Sequence, residues 1–151
     1  MLKAIIIDPS AISRDLLNAI LLNEKYEIVG HSGSSNQGLA LAIKHKPHIV
    51  CVDMEIIYSG DFLPRLREAL PKALIFMMSN ELKADMLKDA IARGVHGVII
   101  KPFNTAKVTA TIKNAVLAFV KRQQAALAQG AASSAPQDSS AQSVSGAPSA
   151  Q

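Results

Sequence analysis

His48-Ile49-Val50-Cys51-Val52-Asp53 is an aliphatic run that stops at a carboxylate. A strand with one face in water alternates apolar and polar residues, whereas a strand covered on both faces reads as a continuous apolar run. His48–Val52 is therefore read as a doubly covered strand ending at Asp53. The same form recurs on both sides of it: Leu2–Ile7 runs into Asp8, Leu74–Met78 into Ser79, and Gly97–Ile100 into Lys101. Tyr26–His31 is a fifth, weaker run of the same kind.

Helical spacing fills the intervals. Ile12, Leu16, Ala19 and Ile20 fall on one helix face, with Ser10 placed as the N-cap. Leu39, Ala42 and Ile43 mark a second helix that Pro47 ends. Phe62, Leu66 and Leu70 mark a third, with Asp61 as its cap and Pro64 in its first turn. Leu87, Ala90 and Ile91 mark a fourth, followed by Gly94 as a C-cap glycine. Val108, Ile112, Ala115 and Phe119 mark a last helix, expected from about residue 105 to about 129. Five β–α units in series predict an α/β fold, a doubly wound five-stranded parallel sheet with five helices. Ligands of such sheets lie beyond the carboxyl ends of the strands. The prediction thus gathers Asp8, Asp53, Ser79 and Lys101 at one edge.

Composition bounds the rest. The chain has 151 residues, 49% hydrophobic and 19% charged, which suits one globular domain with an aliphatic core, since aromatics are 4% and Trp is absent. One Cys excludes a disulfide framework and a Cys-rich zinc site, and Cys51 in mid-strand reads as an inert buried thiol. His31, His45, His48 and His96 show no metal spacing and are assigned no ligand role. The apolar runs are far short of the ~20 residues of a membrane span, and the N-terminal run is too short for a signal peptide. The expectation is a cytoplasmic protein that engages neither membrane nor nucleic acid directly. Residues 130–151 contain seven Ser, six Ala, three Gln and two Pro, and are expected to be a disordered tail behind a domain of residues 1–129. That domain carries sixteen basic and eleven acidic residues. No acid occurs between Asp89 and Asp138, an interval holding Arg93, Lys101, Lys107, Lys113, Lys121 and Arg122. Such a run is a solvated helix face or a docking surface for an acidic partner.

Asp53 at its strand end, Gly94-Val-His-Gly97 before the last strand, and Lys101-Pro102-Phe103 after it together resemble a CheY-like bacterial response-regulator receiver domain over about Met1 to Val120. The resemblance implies a flavodoxin-like sheet of order 2-1-3-4-5 and a cis Lys101–Pro102 bond. It implies phosphoryl transfer from a histidine kinase to Asp53, with Ser79 as the switch hydroxyl and Lys101 as the cation that pairs with the phosphoryl group. It further implies Mg²⁺ held by Asp8, Asp53 and Glu55, the last through its backbone carbonyl, with its side chain as an additional candidate donor in this chain. A downstream protein would bind the face made by the last helix, the last strand and the helix before it. A helix extended toward Gln129 is also compatible with a homodimer.

The sequence departs from that pattern in four places. Pro9 stands where the family has a second acid, so the expected Mg²⁺ is weakly held. The loop Met54–Gly60 lacks the usual proline. Val98 stands where chemotaxis-type members have a switch aromatic. No output domain is expected in the remaining chain. Two readings follow, a single-domain regulator phosphorylated on Asp53 and a phosphorylation-independent interaction module. An aspartyl phosphatase would place its nucleophile on the first strand, and a flavin carrier would need more aromatics, so both are set aside.

Overall fold

The structure is a computed structural model, and it describes residues 1–134, with side-chain environments to residue 129. Its elements run β1 (Lys3–Ile7), α1 (Ala11–Asn23), β2 (Glu27–Ser32), α2 (Ser35–His45), β3 (Ile49–Asp53), α3 (Met54–Ile57), α4 (Phe62–Ala69), β4 (Leu74–Ser79), α5 (Ala84–Ala92), β5 (Gly97–Ile100) and α6 (Thr105–Ser134). The five strands form one parallel sheet of order β2-β1-β3-β4-β5, as the resemblance implied. The chain divides into two compact units, Met1–Ala115 and a second that begins at Val116. The first unit holds the sheet; the described part of the second is the continuation of α6.

Strand alternation sorts the core into two layers. Ile5, Ile7, Val50, Val52, Ile75 and Met77 pack with buried side chains of α2 through α5, among them Leu39, Ile57, Phe62, Leu66 and Ala90. The alternate set, Ala4, Ile6, Cys51, Phe76 and Met78, is equally buried, as are Leu17 and Leu21 of α1 and Val108 and Ile112 of α6. This is why the strands read as unbroken apolar runs. Cys51 is fully enclosed, and burial pushes its thiol up to about 12, as an inert thiol requires.

The helix faces differ from expectation at α1. Ile12 and Leu16 are 74% and 54% exposed, and the buried positions are Leu17 and Leu21. The segment Ile12–Leu22 is apolar on two overlapping stripes, and the sheet lies against the one that periodicity alone did not select. Ile43 and Ile91 are likewise exposed, while Ala42 and Ala90 beside them are buried. Among the described residues there are six helices, not five. The extra one is the single turn α3, which Asp53 caps by accepting from the Glu55 N–H (3.0 Å) and which buries Ile56 and Ile57.

The cap readings divide in the same way. Ser10 caps α1, accepting from the Ser13 N–H at 3.2 Å. Asp61 occupies the cap position of α4 but makes no side-chain cap bond. Gly94 follows α5 with φ of +103°, a conformation that favours glycine. Two of the histidines close the amino-terminal edge of the sheet, where the His48 Nδ1 accepts from the Lys3 N–H (3.0 Å) and the His96 Nδ1 from the Ile75 N–H (3.1 Å).

Helix α6 runs to Ser134, so residues 130–134 of the expected tail are helical; they continue an Ala-rich segment that begins at Ala125, and alanine is the best helix former. The remainder of the expected tail, residues 135–151, lies outside the described residues. Among the described residues no helix is long and apolar enough to cross a membrane.

Candidate functional site

Strand register builds the site. Ile7 pairs with Val52, so the next residues, Asp8 and Asp53, leave adjacent strands side by side. Ser79 pairs with Ile100, and the Lys101 N–H then donates to the Ser79 carbonyl at 2.8 Å. All four expected residues therefore reach the carboxyl edge of the sheet, where β1, β3, β4 and β5 end.

Three of them form one cluster. Lys101 Nζ donates to Asp8 Oδ2 at 2.6 Å and to Asp53 Oδ1 at 2.8 Å. Asp8 is 1% exposed and Asp53 9%. Two carboxylates this buried repel one another unless a cation stands between them, and the ammonium fills that place. Burial opposes the Lys101 charge, but its hydrogen bonds to Asp53 and Asp8 outweigh that, so the ammonium is held above its ordinary value. The remaining carboxylate oxygens are held by backbone. Asp8 Oδ1 accepts from the Ser10 N–H (2.8 Å) and Asp53 Oδ2 from the Glu55 N–H (3.0 Å). These bonds fix each carboxylate in one orientation with an oxygen toward Lys101.

Ser79 stands apart from that cluster in its bonding. Its hydroxyl donates to the Glu81 carbonyl (2.8 Å) and accepts from the Glu81 N–H (3.2 Å), closing a turn between Met54 Sδ and Met86 Sδ at 3.7 and 3.8 Å. Neither Ser79 nor Asn80 caps the next helix, because α5 starts at Ala84 with Lys83 in the cap position. Glu55 contributes its N–H, but its side chain is exposed. Among the described residues no three His, Cys, Asp or Glu side chains converge, so the Glu55 carboxylate does not join Asp8 and Asp53. The hard oxygen donors available to a cation are thus the two carboxylates and nearby carbonyls.

Two features escaped the sequence reading. Arg14 of α1 donates through Nη1 to the Asp8 backbone carbonyl. On the far side of the Asp53 turn, the Tyr58 hydroxyl and Arg93 Nε both donate to Asp89 Oδ2, at 2.9 and 2.8 Å, with the Arg93 guanidinium 5.0 Å from the Tyr58 ring centre. Only the i,i+4 spacing of Asp89 and Arg93 is visible in sequence; Tyr58 is brought to them by the crossover. The Lys101–Pro102 bond is cis, as the resemblance implied.

Comparison with known proteins places this arrangement. The response regulator receiver domain model matches residues 4–113. The chemotaxis protein CheY of Listeria monocytogenes is 26% identical over 117 residues, covering 76% of this chain and 98% of that protein. The transcriptional regulatory protein PdtaR of Mycobacterium tuberculosis is 28% identical over 119 residues, covering 78% of this chain and 58% of its own. Among solved structures, the chemotaxis response regulator CheY4 of Vibrio cholerae superposes with a TM-score of 0.68 at 22% identity, covering 76% of this chain and 98% of that one. A CheX–CheY–BeF3–Mg complex from Borrelia burgdorferi gives 0.69 at 22% identity, covering 75% and 87%. The model match spans most of the sheet-bearing unit and all four strand-end residues, and the chain belongs to the response regulator receiver domain family.

Proposed function

We propose that this chain is a response-regulator receiver that accepts a phosphoryl group on Asp53 from a histidine kinase and signals by phosphorylation-dependent binding of a partner. The observation that carries the reading is Lys101 Nζ set between Asp8 and Asp53 at 2.6 and 2.8 Å. An Asp53 oxygen attacks phosphorus in line; the O–P bond forms, the N–P bond of the phosphohistidine breaks, and its electron pair returns to the imidazole nitrogen. The obstacle is repulsion between carboxylate and phosphoryl oxygens, so positioning and charge neutralisation supply the catalysis. Lys101 is the resident cation for that task. Ser79 reaches a phosphoryl oxygen by giving up its bond to the Glu81 carbonyl, and that exchange is the proposed switch.

Receiver domains generally bind Mg²⁺. Mg²⁺ is commonly held by one or two carboxylates with water completing the shell, and the pair Asp8 and Asp53 fits that donor set. With the Glu55 carbonyl they are the residues that would hold the ion, which supplies further neutralisation of the phosphoryl oxygens. Pro9 adds no oxygen and Lys101 shares the same two carboxylates, so the ion is expected to bind weakly.

The proposed partner face comprises α5, β5 and the first part of α6. A groove of about 380 Å³ opens there, lined by Leu82, Val98, Pro102, Lys107 and Thr111 among others. Lys107 and Lys113 are exposed on the same helix. Pro9 and the missing third carboxylate favour the second reading, a receiver fold that binds partners without phosphorylation.

One experiment separates the two. The protein is incubated with Mg²⁺ and a small acyl phosphate, or with its kinase, and its intact mass is measured. The regulator reading expects one added phosphoryl group, absent in Asp53→Asn. No adduct from any donor leaves the interaction module.

A further inference from the structure

Asp8 is held at every polar group. Its N–H donates to the Ser32 carbonyl (2.9 Å), its Oδ1 accepts from Ser10, its Oδ2 accepts from Lys101, and its backbone carbonyl accepts from Arg14 Nη1. The last bond is the one that the sheet does not explain. β1 ends at Ile7, so the Asp8 carbonyl lies past the strand, on a residue that the following Pro9 keeps extended. A carbonyl outside the sheet ladder needs water or another partner. Here an arginine one turn into α1 reaches back six residues to take it.

Gly33 makes room for this. A Cβ built on Gly33 would stand 2.9 Å from Arg14 Nη1 and 3.7 Å from the Asp8 carbonyl oxygen. The guanidinium occupies the space that any other side chain at 33 would claim. Arg14 Nε is buried with no hydrogen-bond partner among the described residues. Leaving an N–H unsatisfied is costly, so this arginine is poorly arranged as a device for general stability. It is well arranged to pin one carbonyl.

We propose that Arg14 is a positioning residue for phosphoryl acceptance, holding the Asp8 backbone so that the Asp8 carboxylate stays on Lys101 and the ammonium stays aimed between Asp8 and Asp53. The proposal rests on the reading of Asp53 as the acceptor. Pro9 gives it weight: with no acid at position 9, Asp8 is the carboxylate that must face Asp53, and no neighbour in sequence takes over if it swings away. Gly33 belongs to the same device, as the clearance in which the guanidinium sits.

Two variants remove the bond by different routes. Arg14→Met deletes the donor and keeps much of the apolar stem. Gly33→Ala keeps Arg14 and displaces only the far end of its flexible side chain, which the fold tolerates. In the full chain, amide hydrogen exchange is followed by NMR, and phosphoryl uptake from a small acyl phosphate with Mg²⁺ is followed by intact mass. Both variants are expected to speed exchange at the Ser10 amide, which reports on Asp8 Oδ1, by about tenfold, the loss of one charge-assisted hydrogen bond. Exchange at the Cys51 and Met77 amides in the core is expected to be unchanged, and the initial rate of phosphoryl uptake to fall by about tenfold. Ser10 protection unchanged in both variants overturns the proposal, as does acceleration shared by Cys51 and Met77, which would be a loss of stability alone. Release of Ser10 with an unchanged uptake rate also overturns it. No uptake by the unmutated chain is a different failure, that of Asp53 as acceptor, and it removes the part played by Arg14 in that reaction.

Discussion

The carboxyl edge of the sheet depends on single atoms. Gly38 illustrates this one strand-end away from the acidic cluster. It is buried at the end of the first turn of α2, and a Cβ there would meet Ile7 Cδ1, Cγ1 and Cγ2 at 2.6, 2.8 and 2.9 Å. Ile7 is fully buried between neighbours and has no empty space to move into. In most helices Gly→Ala is stabilising. Here Gly38→Ala is expected to lower the unfolding free energy by about 1–3 kcal/mol, the usual cost of overpacking, measured by urea denaturation. A gain in stability would mean that α2 lifts off Ile7 freely. The same residue scale explains why Arg14 and Ser79 were not legible as they stand. An arginine in a first helical turn and a serine at a strand end carry no pattern that names their hydrogen-bond partners; those partners are backbone groups of Asp8 and Glu81, set by the path of two loops.

Between residues and the whole, elements talk through few side chains. Tyr58 follows directly on the α3 turn that Asp53 caps, and its hydroxyl meets Asp89 of α5. Burial, then the Asp89 hydrogen bond, raises the Tyr58 phenol above its ordinary 10.0. The bonds from Arg93 and Tyr58 hold the Asp89 carboxyl below its ordinary 3.8. The signs follow from linkage. A depressed Asp89 adds stability above its unfolded value, and the contribution is lost as pH falls through its folded value. A raised Tyr58 adds stability below its unfolded value, lost as pH rises through its folded one. The link therefore operates between the two titrations and fails on either side. Asp89→Ala is expected to lower the alkaline midpoint of one of the two tyrosines by phenolate absorbance, and Tyr58→Phe to abolish that transition. A midpoint that does not move would show that burial alone sets it. The α1 face teaches the complementary lesson about elements. Ile12, Leu16, Leu17, Ile20 and Leu21 offer two apolar stripes at helical spacing, and only the placement of the sheet selects Leu17 and Leu21 for burial.

At the scale of the molecule, charge is segregated. The interval from Arg93 to Arg122 carries six basic residues and no acid, and Lys107, Lys113, Lys121 and Arg122 on α6 are all exposed. Like charge on one helix raises the encounter rate with an acidic surface and is screened by salt. If the proposed partner face is used, reversal of Lys113 and Lys121 to Glu is expected to weaken binding of the proposed downstream protein by about tenfold at low salt, with the difference shrinking as salt rises and the thermal unfolding midpoint unchanged. Equal affinity in the double variant would assign these lysines to the solvated face of the helix.

The sequence by itself determined the five strands, their parallel order of appearance, and the convergence of Asp8, Asp53, Ser79 and Lys101 at one edge. It could do so because a doubly covered strand must be apolar throughout, and a polar residue that ends such a run must lie at the rim. Tertiary structure alone decided which helix stripe is buried, that Asp53 caps a turn of its own, that Ser79 bonds Glu81, and that Arg14 holds Asp8. Each of these depends on where a loop carries a backbone group or where a neighbouring layer lies, and neither is encoded in the periodicity of a single segment.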